Sequence, residues 1–235
     1  KKDYISKYKS VKSILIQGNN DWSGIDLAVT IPTYKRPGTL KEAIESVLHQ
    51  KTNVKFKIIV VDNNPDRNDE TEEFMKSYKN IGDILYYKNI ENVGMSGNWN
   101  KCILLAKVDW VILLHDDDLL ATNAINELSK CRSNSFDIVG IQLKIFNDGD
   151  PLPDIENPEQ LQLKKITIDY NFHFPALAPS GNLYKRDSII KVGGFPNVIA
   201  PDLLLIQLSY WGNVFRINKV LGYYRKGINE STKLS

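Results

Sequence analysis

The sequence is poor in cysteine, and the two cysteines that it contains, Cys102 and Cys131, form no C-x-x-C pair. Isolated cysteines favour a structural role over metal binding or catalysis, so we expect two reduced thiols that are buried or half-buried. Residues 1–18 lack the apolar core of a secretion signal. Together these absences predict a cytoplasmic protein.

The sequence also lacks a strong charge excess and a long apolar run. Its formal net charge is +2, which gives no reason to expect nucleic acid as a partner. No segment approaches the ~20 apolar residues that a membrane-spanning helix requires. No arrangement of serine or cysteine with histidine indicates a covalent nucleophile. With 235 residues, the chain is long enough for one sizeable α/β domain.

What the sequence does contain is a regular alternation of apolar runs and amphipathic segments. This order predicts the α/β class, with a mostly parallel sheet and helices on both faces. After residue 120 the pattern changes to that of an α+β unit. The predicted strands are residues 26–31, 56–61, 84–87, 108–114, 136–146 and 214–224, and the predicted helices are residues 40–48, 70–78, 96–106, 124–128, 187–192 and 201–210.

Three further segments have simpler interpretations. Residues 1–22 are polar and rich in lysine, which predicts a lead-in with one short helix. Thr39 and Glu42 have the spacing of a capping box at the start of a helix. Residues 152–162 are polar and contain prolines, which predicts a mobile loop.

The most informative segment is residues 111–118, with the sequence VILLHDDD. Its continuous apolar part predicts a strand buried on both faces, and ligands of open α/β sheets bind at the carboxyl ends of such strands. Asp116, Asp117 and Asp118 repel one another unless a cation neutralises them. Because every ligand on offer is an oxygen, we predict a Mg²⁺ or Mn²⁺ ion that bridges to substrate phosphates.

Three earlier predicted strands also end in residues suited to a ligand. The first is followed by Pro32, Thr33 and Tyr34, the second by Asp62, and the third by the run from Asn92 to Gly94. Four such ends on one sheet edge favour a binding pocket over chance.

These residues resemble the motifs of family 2 glycosyltransferases, which have the GT-A fold and invert the configuration of the transferred sugar. The resemblance rests on residues 29–37 (VTIPTYKRP), 60–64 (VVDNN), 92–100 (NVGMSGNWN) and 114–118 (LHDDD), in that order and at similar spacing. It implies one GT-A domain over residues 25–235, after a lead-in of residues 1–24. Residues 25–120 would bind the nucleotide sugar, and residues 121–235 would bind the acceptor.

The resemblance implies roles for individual residues. Asp118 and Asp116 would bind the metal, and Asp62 would accept a hydrogen bond from the base, typically from N3–H of uracil. His115 is interpreted as structural, and Arg225 or Lys226 as a contact to the diphosphate. The residues expected to bind the nucleotide sugar are Pro32, Thr33, Tyr34, Arg36, Asp62, Asn92, Gly94, Asn98, Asn100, Asp116 and Asp117.

An inverting mechanism needs a carboxylate that takes a proton from the acceptor hydroxyl. Residues 193–195 (GGF), followed by Asp202, resemble the family's segment for this base, so the resemblance implies Asp202. An aspartate at a helix start is also explained by the helix dipole alone. Asp62 and Asn98 leave similar alternatives, since Asp62 also suits a turn at a strand end and Asn98 also suits a helix cap.

The expected partners are a nucleotide sugar, most typically a UDP-sugar, and a glycan or lipid-linked acceptor of bacterial surface polysaccharide or glycoconjugate synthesis. A lipid-linked acceptor would bring the protein to the inner face of the cell membrane as a peripheral protein. Two alternatives stay open, namely a nucleotide-sugar-binding module without catalysis and a nucleotidyltransferase. The second is disfavoured because residues 32–37 do not form a glycine-rich phosphate loop.

Overall fold

The computed structural model describes residues 3–167, 177–196 and 212–227. The predicted helix 201–210, with Asp202, lies outside these residues. The helices are α1 Ser6–Lys9, α2 Pro37–Leu48, α3 Glu70–Met75 with a 3₁₀ turn Lys76–Tyr78, α4 Gly94–Leu105, α5 Ala124–Ser129 and α6 Arg186–Val192. The strands are β1 Ser13–Gln17, β2 Leu27–Thr33, β3 Phe56–Asp62, β4 Ile84–Asn89, β5 Trp110–Leu113, β6 Leu119–Leu120, β7 Ile138–Asn147, β8 Leu163–Lys165, β9 Leu183–Lys185 and β10 Val214–Lys226.

All of these strands belong to one mixed sheet with the order β1-β4-β3-β2-β5-β9-β7-β10-β6, and β8 pairs with β10. The central strands β4, β3, β2 and β5 are parallel, as predicted. The chain builds from β2 to β3 and β4 on one side and then returns to place β5 on the other side of β2. The reversal creates a crevice between the carboxyl ends of β2 and β5, which is where α/β sheets bind ligands.

The two faces of the sheet carry two separate apolar layers. Alternate residues of β2 point to opposite faces, so Val29 packs with α2 while Ala28 packs with α4. Ile44 of α2 and Ile103 of α4 are both fully buried. Because helices cover both faces, every residue of β2 is buried, which explains its continuous apolar character.

The start of α2 differs from the prediction. The helix begins at Pro37, whose fixed φ suits the first helical position, and its N-cap is Arg36, without a side-chain cap. Thr39 donates instead to the carbonyl oxygen of Arg36 at 3.5 Å. The capping box of Thr39 and Glu42 is therefore wrong, and the Glu42 carboxylate binds Arg225 at 2.5 Å.

The lead-in contains more structure than the one short helix predicted for it. Besides the short α1, it supplies β1, which pairs antiparallel with β4 at the edge of the sheet. Lys101 is buried and donates to the carbonyl oxygens of Tyr8 and Val11, which fixes this segment to α4. The strands β1, β6, β8 and β9 were not predicted, because each is short and joins the sheet only through distant partners.

The segment of residues 152–162 contains no helix or strand, as predicted for a loop. It is nevertheless attached along β10: the Asn157 side chain accepts from the Val220 N–H at 2.7 Å and donates to its carbonyl oxygen at 2.9 Å. The Gln162 N–H donates to the Asn218 side chain at 2.8 Å. The prediction of a mobile loop therefore does not fit these contacts.

Two further predictions can be compared with the described residues. Cys102 and Cys131 are both buried and free, which confirms them as reduced thiols. Within the described part of the chain, no helix has the length and apolar character needed to cross a membrane.

Candidate active site

The crevice between β2 and β5 brings together a hydroxyl and a carboxylate. Thr30 pairs with Leu113 in the parallel register, so that Thr33 and Asp116, three residues further along, lie side by side. The Thr33 hydroxyl donates to Oδ2 of Asp116 at 2.7 Å. This hydrogen bond joins two of the predicted site residues across the switch in strand order.

A positively charged side chain faces the acidic triplet from the loop after β2. Arg36 donates through Nη1 to Oδ2 of Asp117 at 3.0 Å, and the same nitrogen lies 3.6 Å from Oδ1 of Asp116. Lys35 adopts a left-handed φ of 55°, which turns the chain between Tyr34 and Arg36. Tyr34 is 43% exposed at this edge, whereas Pro32 is buried within β2.

Asp118 is fully buried, and its carboxylate is only half satisfied. Oδ1 accepts a hydrogen bond of 3.1 Å from the backbone N–H of Arg225. Oδ2 is buried and has no hydrogen-bond partner within the described residues. Burial, together with the Asp117 carboxylate beside them, raises the pKa of Asp116 and of Asp118 to about 7. Their charged forms are thus unfavourable without a nearby cation.

The donor set fits a divalent metal ion. Within the described residues, His115, Asp117 and Asp118 each offer a ligand atom, and these atoms lie within 4.8 Å of one another. Burial lowers the pKa of His115 to about 4, so the imidazole is neutral at pH 7 and able to bind a metal. The cluster contains Asp118, as predicted, but it contains His115 and Asp117 where Asp116 was predicted.

Arg225 is the residue that holds the triplet from the other side. Its Nε donates to the carbonyl oxygen of Asp117 at 3.0 Å. Its two terminal nitrogens bind the carboxylates of Asp148 and Glu42, each at 2.5 Å. The predicted role of Arg225 is a contact to the diphosphate, whereas its guanidinium binds protein oxygens from three separate segments.

Asp62 lies at the end of β3, inside a polar network. It is fully buried, and its Oδ2 accepts from the Tyr86 hydroxyl at 2.7 Å and from Nζ of Lys88 at 2.9 Å. Its Oδ1 accepts from the backbone N–H of Asn64 at 2.9 Å. Burial raises the pKa of Asp62, and these hydrogen bonds partly offset that. Recognition of a base by Asp62 stays a prediction.

The loop between β4 and α4 is organised by Asn63, which the sequence analysis did not single out. Its side chain donates to Oδ1 of Asn92 at 2.7 Å and accepts from the Val93 N–H at 3.0 Å. Asn92 also accepts from the N–H of Gly94 at 2.9 Å. Gly94 has a φ of 75°, a conformation that favours glycine, and begins α4. The contacts place Asn92 and Gly94 beside the end of β3.

Asn98 and Asn100 are buried and bind the protein itself. Asn98 donates to the carbonyl oxygen of Val61 at 2.9 Å and accepts from the Asn89 side chain at 2.9 Å. Asn100 forms two hydrogen bonds of 2.8 Å with the backbone of Phe195. These contacts give both asparagines a structural role, and they lend no support to the predicted contact with the donor.

The site residues that the sequence did not predict share one property. Asn63, Tyr86 and Lys88 reach the site through partners that are distant in sequence, and Glu42 and Asp148 do so through Arg225. The only signal available in the sequence was the position of Asn63, directly after Asp62 at a predicted strand end. Asp202, the predicted base, lies outside the described residues.

Comparisons with known proteins agree with this architecture. The sequence model of Glycosyl transferase family 2 matches residues 28–193. Abequosyltransferase RfbV of Salmonella typhimurium is 30% identical over 150 residues, which cover 63% of this chain and 44% of that protein. The chain spans between 31% and 49% of the length of three curated relatives that it matches.

Two solved structures share the fold. TarS of S. aureus, in complex with UDP-GlcNAc, has a TM-score of 0.70 at 16% identity, over 90% of this chain and 61% of that one. The mannosyltransferase PcManGT of Pyrobaculum calidifontis, in complex with GDP-Man and Mn²⁺, has a TM-score of 0.66 at 12% identity, over 98% and 65%. The predicted GT-A fold is confirmed, and because the family match covers most of the sequence, the chain belongs to glycosyl transferase family 2.

Proposed function

We propose that the protein transfers a sugar from a nucleotide sugar, with UDP as the carrier, to a hydroxyl of a glycan or lipid-linked glycan acceptor. The transfer depends on a divalent metal ion and inverts the anomeric carbon. The reaction belongs to bacterial surface polysaccharide or glycoconjugate synthesis and takes place in the cytoplasm, at the inner face of the membrane when the acceptor is lipid-linked. The relationship to RfbV and the UDP-GlcNAc complex of TarS support this choice.

One observation carries the proposal. Asp118 has a buried carboxylate oxygen without a hydrogen-bond partner among the described residues, at the carboxyl end of β5 and beside Asp117. An unsatisfied buried carboxylate oxygen costs free energy unless a ligand binds it. A metal ion bound by Asp118 would supply that missing partner, at the strand ends where α/β sheets hold nucleotides.

The residues around the crevice have different proposed roles in binding the metal ion and the donor. Asp117 and Asp118 would hold the metal ion, which would supply positive charge next to the departing diphosphate. Arg36 adds a second positive charge on the same side, 3.0 Å from Asp117. Thr33 orients Asp116 toward the donor. Tyr34, with its exposed ring, offers a surface on which the base can stack.

The acceptor hydroxyl loses its proton to a carboxylate, and we assign this role to Asp202 on the basis of its position after residues 193–195. In the described residues, Asn100 binds both the N–H and the carbonyl oxygen of Phe195 and so fixes the position of residues 193–195. The Asp202→Asn variant is expected to lose most of its turnover while donor affinity stays unchanged. Unchanged turnover would place the base elsewhere.

The test of the proposed function is calorimetric titration of UDP, GDP and dTDP with and without Mn²⁺, followed by an assay of transfer and of slow donor hydrolysis. Metal-dependent binding of UDP with hydrolysis of a UDP-sugar supports the proposal. Metal-dependent binding without hydrolysis or transfer would instead support a binding module. If no nucleotide binds, the buried acidic triplet is not a donor site and the proposal fails.

A further inference from the structure

His115 occupies a position that the proposed function does not use. It follows β5 directly, and its imidazole stacks on the indole of Trp99 with ring centroids 4.7 Å apart and planes at 21°. Its backbone N–H donates to the Ser180 hydroxyl at 3.0 Å. Packing and a backbone hydrogen bond thus hold the ring against the acidic triplet.

One ring nitrogen of His115 has no partner in the described part of the chain, and the other faces Asp118. Nε2 is buried and has no hydrogen-bond partner within residues 3–167, 177–196 and 212–227. Nδ1 lies 4.0 Å from Oδ2 of Asp118, which is the other buried atom of this site without a partner in the described residues. An unsatisfied buried carboxylate oxygen is costly, and a cation that binds it together with the nearby Nδ1 of His115 removes that cost.

The spacing suits a metal ion rather than a direct hydrogen bond. A nitrogen and an oxygen at 4.0 Å are too far apart to bond each other. Metal–ligand bonds of about 2.1 Å place two ligands on one ion up to ~4.2 Å apart. The ligand atoms of His115, Asp117 and Asp118 all lie within 4.8 Å of one another. A small inward movement is enough to bring all three onto one ion.

We propose that His115 is a nitrogen ligand of the metal ion, together with Asp117 and Asp118, and that the site therefore selects Mn²⁺ over Mg²⁺. The inference rests on the proposed function and specifies its metal. Mg²⁺ prefers oxygen ligands in a strict octahedron, whereas imidazole suits the first-row transition ions. An aspartate-only site would discriminate less between the two ions.

The test uses pulsed EPR of the whole chain loaded with Mn²⁺ and UDP, which detects a directly bound ¹⁴N nucleus. The wild-type protein is expected to show this ¹⁴N coupling together with ³¹P coupling from UDP. His115→Gln should lose the ¹⁴N coupling and keep Mn²⁺ bound, and its preference for Mn²⁺ over Mg²⁺ should fall by ~10-fold. The matched control is His49→Gln, because the His49 side chain is 76% exposed at the end of α2.

The possible spectra distinguish failure of the His115 proposal from failure of the proposed function. A wild-type spectrum with ³¹P coupling and no ¹⁴N coupling overturns the ligand role of His115 and leaves the proposed function standing. Coupling that persists in His115→Gln overturns it as well. If the protein binds no Mn²⁺ at all, both proposals fail. The wild-type spectrum is decisive even if His115→Gln does not fold.

Discussion

The backbone N–H of Arg225 donates a hydrogen bond of 3.1 Å to Oδ1 of Asp118, across 107 positions of sequence. The Arg225 side chain then reaches the Asp117 carbonyl oxygen and the carboxylates of Glu42 and Asp148. One residue of β10 therefore links the acidic triplet to α2 and to the turn after β7. The position of the proposed metal ligands depends on this strand.

Replacing Arg225 by Gln is expected to weaken Mn²⁺ binding. The backbone bond to Asp118 remains, but the side-chain bond that orients Asp117 is lost, and loss of such supporting contacts typically costs ~10–100-fold in metal affinity. Titration of Mn²⁺ at saturating UDP measures the effect. Arg132→Gln is the control, since Arg132 pairs with Asp26 at the opposite end of β2. Equal Mn²⁺ affinity in both variants would refute a positioning role for Arg225.

Replacing Asp118 by Asn should abolish Mn²⁺-dependent binding of UDP without loss of stability. An amide keeps an oxygen for the Arg225 N–H, and it removes a buried carboxyl whose ionised form is unfavourable. We therefore expect a thermal midpoint in the metal-free protein that is equal to or above that of the wild type. Calorimetry and thermal unfolding measure the two effects. Asp109→Asn, at the exposed amino end of β5, should change neither.

Replacing Lys88 by Met should strongly destabilise the fold. Lys88 is buried and donates to Asp62 and Asp69, both at 2.9 Å. Its loss leaves the fully buried Asp62 without its cation, and breaking a buried pair in this way costs about 3–5 kcal/mol. Urea unfolding measures the change. Lys76→Met, which removes an exposed pair with Glu73, should cost less than about 1 kcal/mol. Similar losses in both variants would contradict the importance of burial here.

Glu72 should make stability depend on pH in the acidic range. Hydrogen bonds from Arg67 lower the pKa of Glu72 to about 2, below its ordinary value of 4.5. A carboxyl whose pKa is lower in the folded state stabilises the fold above the unfolded pKa, and this contribution disappears as the pH falls from about 4.5 to about 2.

At pH 7 the free energy of unfolding of Glu72→Gln should be ~1 kcal/mol lower than that of the wild type. The expected loss is small because solvent screens the exposed Arg67 partner. Its stability should change less than that of the wild type between those two pH values. Urea midpoints measured across the range test this, with Glu73→Gln as the matched neighbour on α3. Parallel curves for the wild type and Glu72→Gln would count against the assignment.

Local pattern was enough to predict most of the central fold. The continuous apolar runs of β2, β3 and β5 follow from burial on both faces, and this pattern is present in the sequence itself. The predicted helix 96–106 likewise corresponds to α4, and Trp99, Cys102 and Ile103 form its buried face at helical spacing. Predictions from isolated spacing were weaker, since Thr39 and Glu42 have the spacing of a capping box but do not form one.

For the candidate site, the sequence by itself determined which polar residues follow the strands, because strand ends are set by where apolar runs stop. Only the tertiary structure decided what those residues bind. In the folded chain, Asn98 and Asn100 bind backbone carbonyl oxygens and Asp62 pairs with Lys88. The Arg225 side chain binds the backbone of the acidic triplet. These contacts join residues far apart in sequence, so they depend on strand order and register, which no local periodicity encodes.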